Sequence, residues 1–302
     1  MGVDATAAAF LGYARSSGVV FEQTLTIGRQ SRFGPATQLV DALRPFATAD
    51  ELSGLASAFG ASDGFAEPLF RALGAASVDA LDHSDFEGAN ILHDLNQDLP
   101  ASLAGGWTLV FDGGSTEHVF DFPRALEATM KLVSLGGHLI TAVPANQQMG
   151  HGFYQVSPEL YFRTLIPANG YEIVGVFLHE DGIRPRWYRA ADPAISGRRL
   201  TATTLGATEL FVCARRVGDA GLHEIPQQSD YAEAWRTGDA PVTRVRGRTS
   251  DLRQRAFRFA PRIGAAVRSG AQMLRSRSAN GLTAVDLADL ARASGAEPED
   301  RT

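Results

Sequence analysis

Short apolar runs recur along the chain, and segments with helical spacing lie between them. Phe21 to Gly28 alternates as a strand does, and Ser77 to Asp82 and Ala89 to Asp94 are short strand patterns that each end in an acid. Trp107 to Phe111 and His138 to Val143 are continuous apolar runs, the mark of strands covered on both faces. Tyr171 to Leu178 and Thr208 to Ala214 bring the strands to seven, with a wide loop between the last two. Helices are predicted over Ala5 to Tyr13, Ala36 to Leu43 with Pro35 in the first turn, Thr48 to about Phe59, Ala66 to Leu73, the segment after the 112–118 loop, and Ser157 to about Leu165. Thr48 is the expected N-cap of its helix and Ser157 of the last, with Pro158 at the first helical position.

The first five strands alternate with helices, which predicts an α/β fold. The expectation is a Rossmann-like, seven-stranded, mostly parallel sheet with helices on both faces. The pair 171–178 and 208–214 forms an antiparallel edge hairpin. A domain over 1–218 is followed by a helical C-terminal extension over 219–302, in which 252–277 is an arginine-rich amphipathic helix interrupted by Pro261 and 283–293 a further helix.

Composition changes this picture little. Hydrophobic residues make up 44% and charged residues 21% of the 302 positions, ordinary for a globular chain. No apolar run is long enough to cross a membrane, no secretory leader is read, and the single cysteine, Cys213, lies in a strand pattern as a buried thiol. A reducing cytoplasmic setting is expected. The charge is uneven: Arg244 to Arg277 holds ten arginines and one acid, so of the net −6 this stretch carries +9 and the rest −15. An acidic body argues against nucleic acid as a partner. The basic stretch 252–277 suits either peripheral contact with an anionic membrane or packing on the acidic body or on a second copy in a homodimer.

Chemistry collects at the carboxyl ends of the strands, where open α/β sheets bind ligands. Asp82 ends the second strand, placed to accept from ribose hydroxyls or else to cap a turn. Asp94 ends the third, placed with the Leu95 backbone N–H to meet adenine or else to form an Asx turn. Asp112-Gly113-Gly114 ends the fourth and lets a ligand approach the backbone. Glu117 and His118 follow, and Gly150-His151-Gly152-Phe153-Tyr154-Gln155 forms a loop after the fifth strand. His118 and His151 are candidate proton acceptors, and Glu117, Tyr154 and Gln155 candidate acceptor contacts. The alternatives are local packing for Glu117 and His118 and a loop staple for His151. No metal-ligand set is read. The first strand ends in Gly28-Arg29-Gln30-Ser31, which lacks the glycines of a dinucleotide turn.

Three segments carry a resemblance. "DGGSTEHVF" with its following helix and Gly-Gly turn, "HDLNQDLP" and "GHGFYQVSPELY" are similar to class I S-adenosylmethionine-dependent methyltransferases, over about Phe21 to Arg215. Within that family they resemble a bacterial subgroup found with glycan and natural-product clusters. The resemblance implies S-adenosyl-L-methionine as cofactor, with Gly28 and Gln30 at its methionine part, Asp82 at the ribose, Asp94 and Leu95 at the adenine, and Asp112 and Gly113 at the amino-acid end. It implies methyl transfer to a small-molecule acceptor, most simply a hydroxyl of a sugar or natural product. The degenerate Gly28-Arg29-Gln30 turn keeps a second reading open: a binding or scaffold protein of methyltransferase fold without catalysis.

Overall fold

The computed structural model describes residues 2–182, 186–196, 199–202, 204–238 and 281–294. The arginine-rich helix expected over 252–277 lies outside them. The chain opens with β1 (Gly2–Val3) and α1 (Ala5–Ser16), then β2 (Gln23–Ile27) and β3 (Ser31–Arg32), the latter parallel to β1 in a separate two-stranded sheet. Three helices follow: α2 (Ala36–Leu43), α3 (Ala49–Ala61) and α4 (Glu67–Ala72). Pro35 proves to be the N-cap of α2 rather than its first helical residue. Thr48 and Glu51 close a capping box on α3, each side chain bonding the other's backbone N–H.

Next come β4 (Ser77–Asp82), β5 (Ile91–Leu92), β6 (Trp107–Asp112), a short 3-10 turn at Thr116–His118, α5 (Phe122–Leu132), β7 (Val133–Asn146), α6 (Pro158–Thr164) and β8 (Tyr171–Glu180). The last described elements are β9 (Arg186–Ala190), α7 (Pro193–Ser196), β10 (Thr208–Arg216), α8 (Ser229–Thr237), β11 (Leu282–Val285) and α9 (Leu287–Ser294).

The main sheet runs β11-β9-β8-β10-β7-β6-β2-β4-β5. Its parallel half, β5-β4-β2-β6-β7, has the 3-2-1-4-5 order of a doubly wound fold. β10 lies between β7 and β8 and is antiparallel to both. The expected pairing of 171–178 with 208–214 is therefore present, but among the described residues the sheet has nine strands, not seven. β9, an alternating Arg-Trp-Tyr-Arg-Ala segment, fills what reads in the sequence as loop, and β11 extends that edge from beyond residue 218. The chain after residue 218 thus returns to the sheet instead of standing apart.

Side chains alternate across this sheet. Leu109, Phe111, Ile140, Phe177, Phe211 and Cys213 meet α1 to α4 and α9 on one face. Val110, Leu139, Val143, Leu210 and Val212 meet α5, α6 and their loops on the other. The Gly-Gly turn expected before the fifth strand is a bulge inside β7. The register with β6 jumps from Trp107↔Val133 to Leu109↔His138. A Cβ on Gly137 would stand 2.7 Å from the Thr108 carbonyl oxygen, so only glycine lets the strands stay paired there.

Candidate active site

The chain order turns back at β2: β4 lies on one side of it and β6 on the other. At such a switch point the loops leaving the carboxyl ends part and leave a crevice. Here the crevice is a cleft of about 520 Å³ lined by Ile27, Gly28, Leu81, Asp82, His83, His93, Asp94, Leu95, Asn96, Ser115, His118 and Val119. That volume suits a nucleoside-sized ligand.

Gly28 sits at φ +70°, a left-handed conformation that glycine adopts without strain, and its N–H donates to the Leu81 carbonyl. The next two residues leave the cleft. Arg29 turns toward α4: its guanidinium donates to Glu67 and Asp63 and to the Glu87 carbonyl, and lies 3.7 Å over the Phe65 ring. Gln30 is buried, and its amide nitrogen donates to the Ile27 and Gly28 carbonyls. Its Oε1 has no hydrogen-bond partner among the described residues and packs under Gly113, where a Cβ would stand 2.4 Å from it. The bulky turn therefore does not fill the cleft. Gln30 caps the end of β2 from within instead of facing a ligand, which corrects its expected role.

Asp82 accepts from the His83 and Ser84 backbone N–H groups through Oδ1, and no bond among the described residues uses Oδ2. Asp94 accepts from the Asn96 backbone and side chain, also through Oδ1, and these bonds hold its carboxyl below the usual range. The Leu95 N–H makes no hydrogen bond among the described residues, while its side chain joins the core. Gly28, Asp82, Asp94, Leu95 and His118 thus come together in one cleft, as their positions at strand ends suggest.

Asp112 and Gly113 do not line it. Asp112 is buried and accepts from the Ser115 and Thr116 backbones and the Thr116 hydroxyl, so it folds the loop after β6 rather than touching a ligand. Burial pushes its carboxyl up, against those bonds. The loop it shapes presents Glu117 and His118.

Glu117 is fully buried, and among the described residues no other residue donates a hydrogen bond to its carboxylate. His151 Nε2 lies 3.3 Å and His118 Nε2 3.8 Å from its Oε1. The two imidazoles are half exposed, with ring centres 5.3 Å apart. Desolvation, then the nearby Asp112 charge, pushes Glu117 up to about 8, while desolvation and His151 push His118 down. The 146–155 loop is tied in place by amides: Asn146 and Gln147 donate to Thr204, Gln148 to Thr208, and Gln155 accepts from the Gln148 backbone. Tyr154 donates to the Phe120 carbonyl. Tyr154 thus spends its hydroxyl, and exposed Gln155 its amide oxygen, on the loop, and neither residue lines the cleft.

No family model matches the chain, and no curated protein does. Solved structures similar to the chain include methyltransferases. The trans-methyltransferase CalH in complex with SAH shares 13% identity over 69% of this chain, at a TM-score of 0.36, and this chain spans only 54% of it. A putative methyltransferase from Bacillus halodurans shares 10% over 70% of this chain and 98% of its own, at 0.35. A putative sarcosine dimethylglycine methyltransferase from Galdieria sulphuraria shares 12% over 71% and 86%, at 0.39. At these values the likeness fixes neither a cofactor nor a substrate, and the functional reading rests on the cleft.

The sequence reading missed His93, Asn96 and Ser115 as lining residues. Ser115 donates to the Ile27 carbonyl, locking the β6 loop to the end of β2, and Asn96 accepts from the Asp121 N–H at the start of α5. Ser115 and Asn96 stand within three residues of an acid at a strand end, and that spacing is the signal that could have found them.

Proposed function

We propose that the chain is an S-adenosyl-L-methionine-dependent methyltransferase acting on a small-molecule hydroxyl. The observation that carries this reading is the cleft at the switch point, with Asp82 and Asp94 at successive strand ends and a glycine at the turn of β2. The residues fit the cofactor. Asp82 Oδ2 is available to two ribose hydroxyls, and Asp94 with the Leu95 N–H can meet an adenine edge. Apolar Ile27, Leu81 and Val119 give the walls a base needs.

Bound there, S-adenosyl-L-methionine supplies a sulfonium methyl that an acceptor oxygen takes as the carbon–sulfur bond breaks, leaving a neutral thioether. Charge falls during such a step, so the chain's task is to position the acceptor and assist loss of its proton. His118 lines the cleft and the His151 ring centre stands 5.3 Å from that of His118, which supports a role for these two imidazoles beside an acceptor hydroxyl. Exposed Phe120 and Phe153, edge to face with ring centres 6.0 Å apart, offer an apolar corner against which the ring of a sugar or natural product could pack.

The test is formation of S-adenosylhomocysteine from S-adenosylmethionine in the presence of a panel of hydroxylated sugars and phenols. Turnover that disappears in His118→Ala and His151→Ala supports the reading. Tight cofactor binding with no turnover on any acceptor favours the scaffold alternative, for which the departure from a glycine-rich turn at Arg29-Gln30 speaks.

A further inference from the structure

A fully buried carboxylate with no hydrogen bond is expensive, since nothing repays the loss of water around it. Glu117 is such a group: among the described residues no other residue donates a hydrogen bond to Oε1 or Oε2, and only the two imidazoles approach Oε1 as ion-pair partners. Among the described residues no arginine or lysine pairs with it, and its ion-pair partners are two imidazoles. Backbone features hold them there. The φ of Gly152 is +71°, and a Cβ on it would stand 2.9 Å from both Glu117 Cγ and the Glu117 carbonyl oxygen. The Phe153 N–H donates to that same carbonyl at 2.8 Å. The His151 loop is thus docked directly on the Glu117 backbone, and a larger residue at 152 would push it away.

One ligand atom from each of Glu117, His118 and His151 lies within 4.8 Å of the other two. Ligands about 2.0–2.2 Å from a tetrahedral zinc stand about 3.4 Å from each other. The Glu117–His151 separation of 3.3 Å already meets this, and the 3.8 Å to His118 and the His118–His151 separation, within 4.8 Å, would close by rotation of the two half-exposed rings. We propose that Glu117, His118 and His151 bind a divalent transition-metal ion at the mouth of the cleft. The donor set, two neutral imidazoles and one carboxylate, suits zinc and its neighbours and is poor for magnesium or calcium, which take oxygen ligands. Glu117 supplies the anchoring charge from below. The exposed edges of the two rings leave the outer side open, as in sites that keep a position for substrate.

The ion's role rests on the methyl-transfer reading, although its binding does not. Because His118 also lines the cleft, an ion held by these three residues would lie at its edge and could hold a hydroxyl of the acceptor and favour loss of that proton to water. The histidines then serve as ligands, and the acceptor is one whose oxygen can coordinate a metal, such as a vicinal diol or catechol.

The experiment uses the full chain, freed of metal with a chelator, and titrates it with zinc alone by calorimetry, with cobalt as a spectroscopic probe. The expected result is one ion per chain and a tetrahedral or five-coordinate cobalt spectrum. Glu117→Gln, His151→Ala and Gly152→Ala should each weaken zinc by at least about 100-fold. His223→Ala, at an exposed histidine beside Asp219, should leave it unchanged. No zinc binding, or equal affinity in wild type, Glu117→Gln and His151→Ala, overturns the proposal. Because His151 is half exposed, its variant separates loss of the site from loss of the fold. Titrating S-adenosylhomocysteine into metal-free and zinc-loaded protein distinguishes the two readings: homocysteine-nucleoside binding without zinc binding removes the ion and keeps the methyltransferase, and zinc binding alone does the reverse.

Discussion

Asp82 and Asp112 both end a strand of the parallel sheet, yet the structure gives them different duties. Asp82 lines the cleft with one oxygen outside the hydrogen bonds of its turn, whereas Asp112 is buried and holds the Ser115-Thr116 turn. Asp82→Ala should therefore weaken S-adenosylhomocysteine by about 10- to 100-fold, the loss of a hydrogen bond to a charged group, with little change in the unfolding midpoint. Asp112→Ala should do the opposite first. It strands buried donors on Ser115 and Thr116 and should cost on the order of 3 kcal/mol in urea unfolding. Equal destabilisation by both would contradict this division. The strand-end position of each acid is legible in the sequence, but which of them faces outward is not. That depends on whether loop donors such as Ser115 and Thr116 fold back onto the carboxylate, and the same holds for Gln30, whose amide reads as a ligand group and proves to be a cap.

Elements carry the stability that keeps the cleft in shape. The ring of Phe10 in α1 packs between Phe177 of β8, Trp187 of β9 and Phe211 of β10, with centres 5.0 to 5.8 Å apart. Phe10→Ala should cost about 3–5 kcal/mol, measured by chemical unfolding, because it opens a cavity where a helix joins three strands. β7 makes a second, pH-dependent prediction. Burial, then the charge of Arg215, pushes His138 from 6.5 down to about 4. As the pH falls below 6.5 the unfolded chain takes the proton and the folded one does not. Stability should fall from pH 6.5 to about 4, by up to roughly 3 kcal/mol from this group, and change no further below that. His138→Leu should flatten the wild-type slope in that window; an unchanged slope would show that His138 is not its source. The apolar run containing His138 is readable as a strand, whereas the bulge at Gly136-Gly137 reads as a turn, because only the approach of the Thr108 carbonyl shows why the glycines are inside the strand.

At the scale of the whole molecule, the parallel half of the sheet follows from apolar periodicity, and its far edge does not. Arg186–Ala190 is too polar to announce a strand, and its place in the sheet comes from pairing with β8 on one side and β11 on the other. Leu287 and Ala291 of α9 are buried against the same core as α1, about 280 residues earlier in the chain. A chain ended after residue 238 should lose at least about 3 kcal/mol of stability, since it uncovers that apolar surface and an edge strand. Full stability in the shortened chain would show that β11 and α9 add nothing to the core. No helix among the described residues is long and apolar enough to cross a membrane. The cleft stands apart from that edge, at the switch point beside β2, and the central claim concerns what it binds. Calorimetry with S-adenosylhomocysteine measures this most directly. The structure predicts one site per chain, with affinity lost in Asp82→Ala; no heat of binding at millimolar ligand, or binding unchanged in Asp82→Ala, would contradict it.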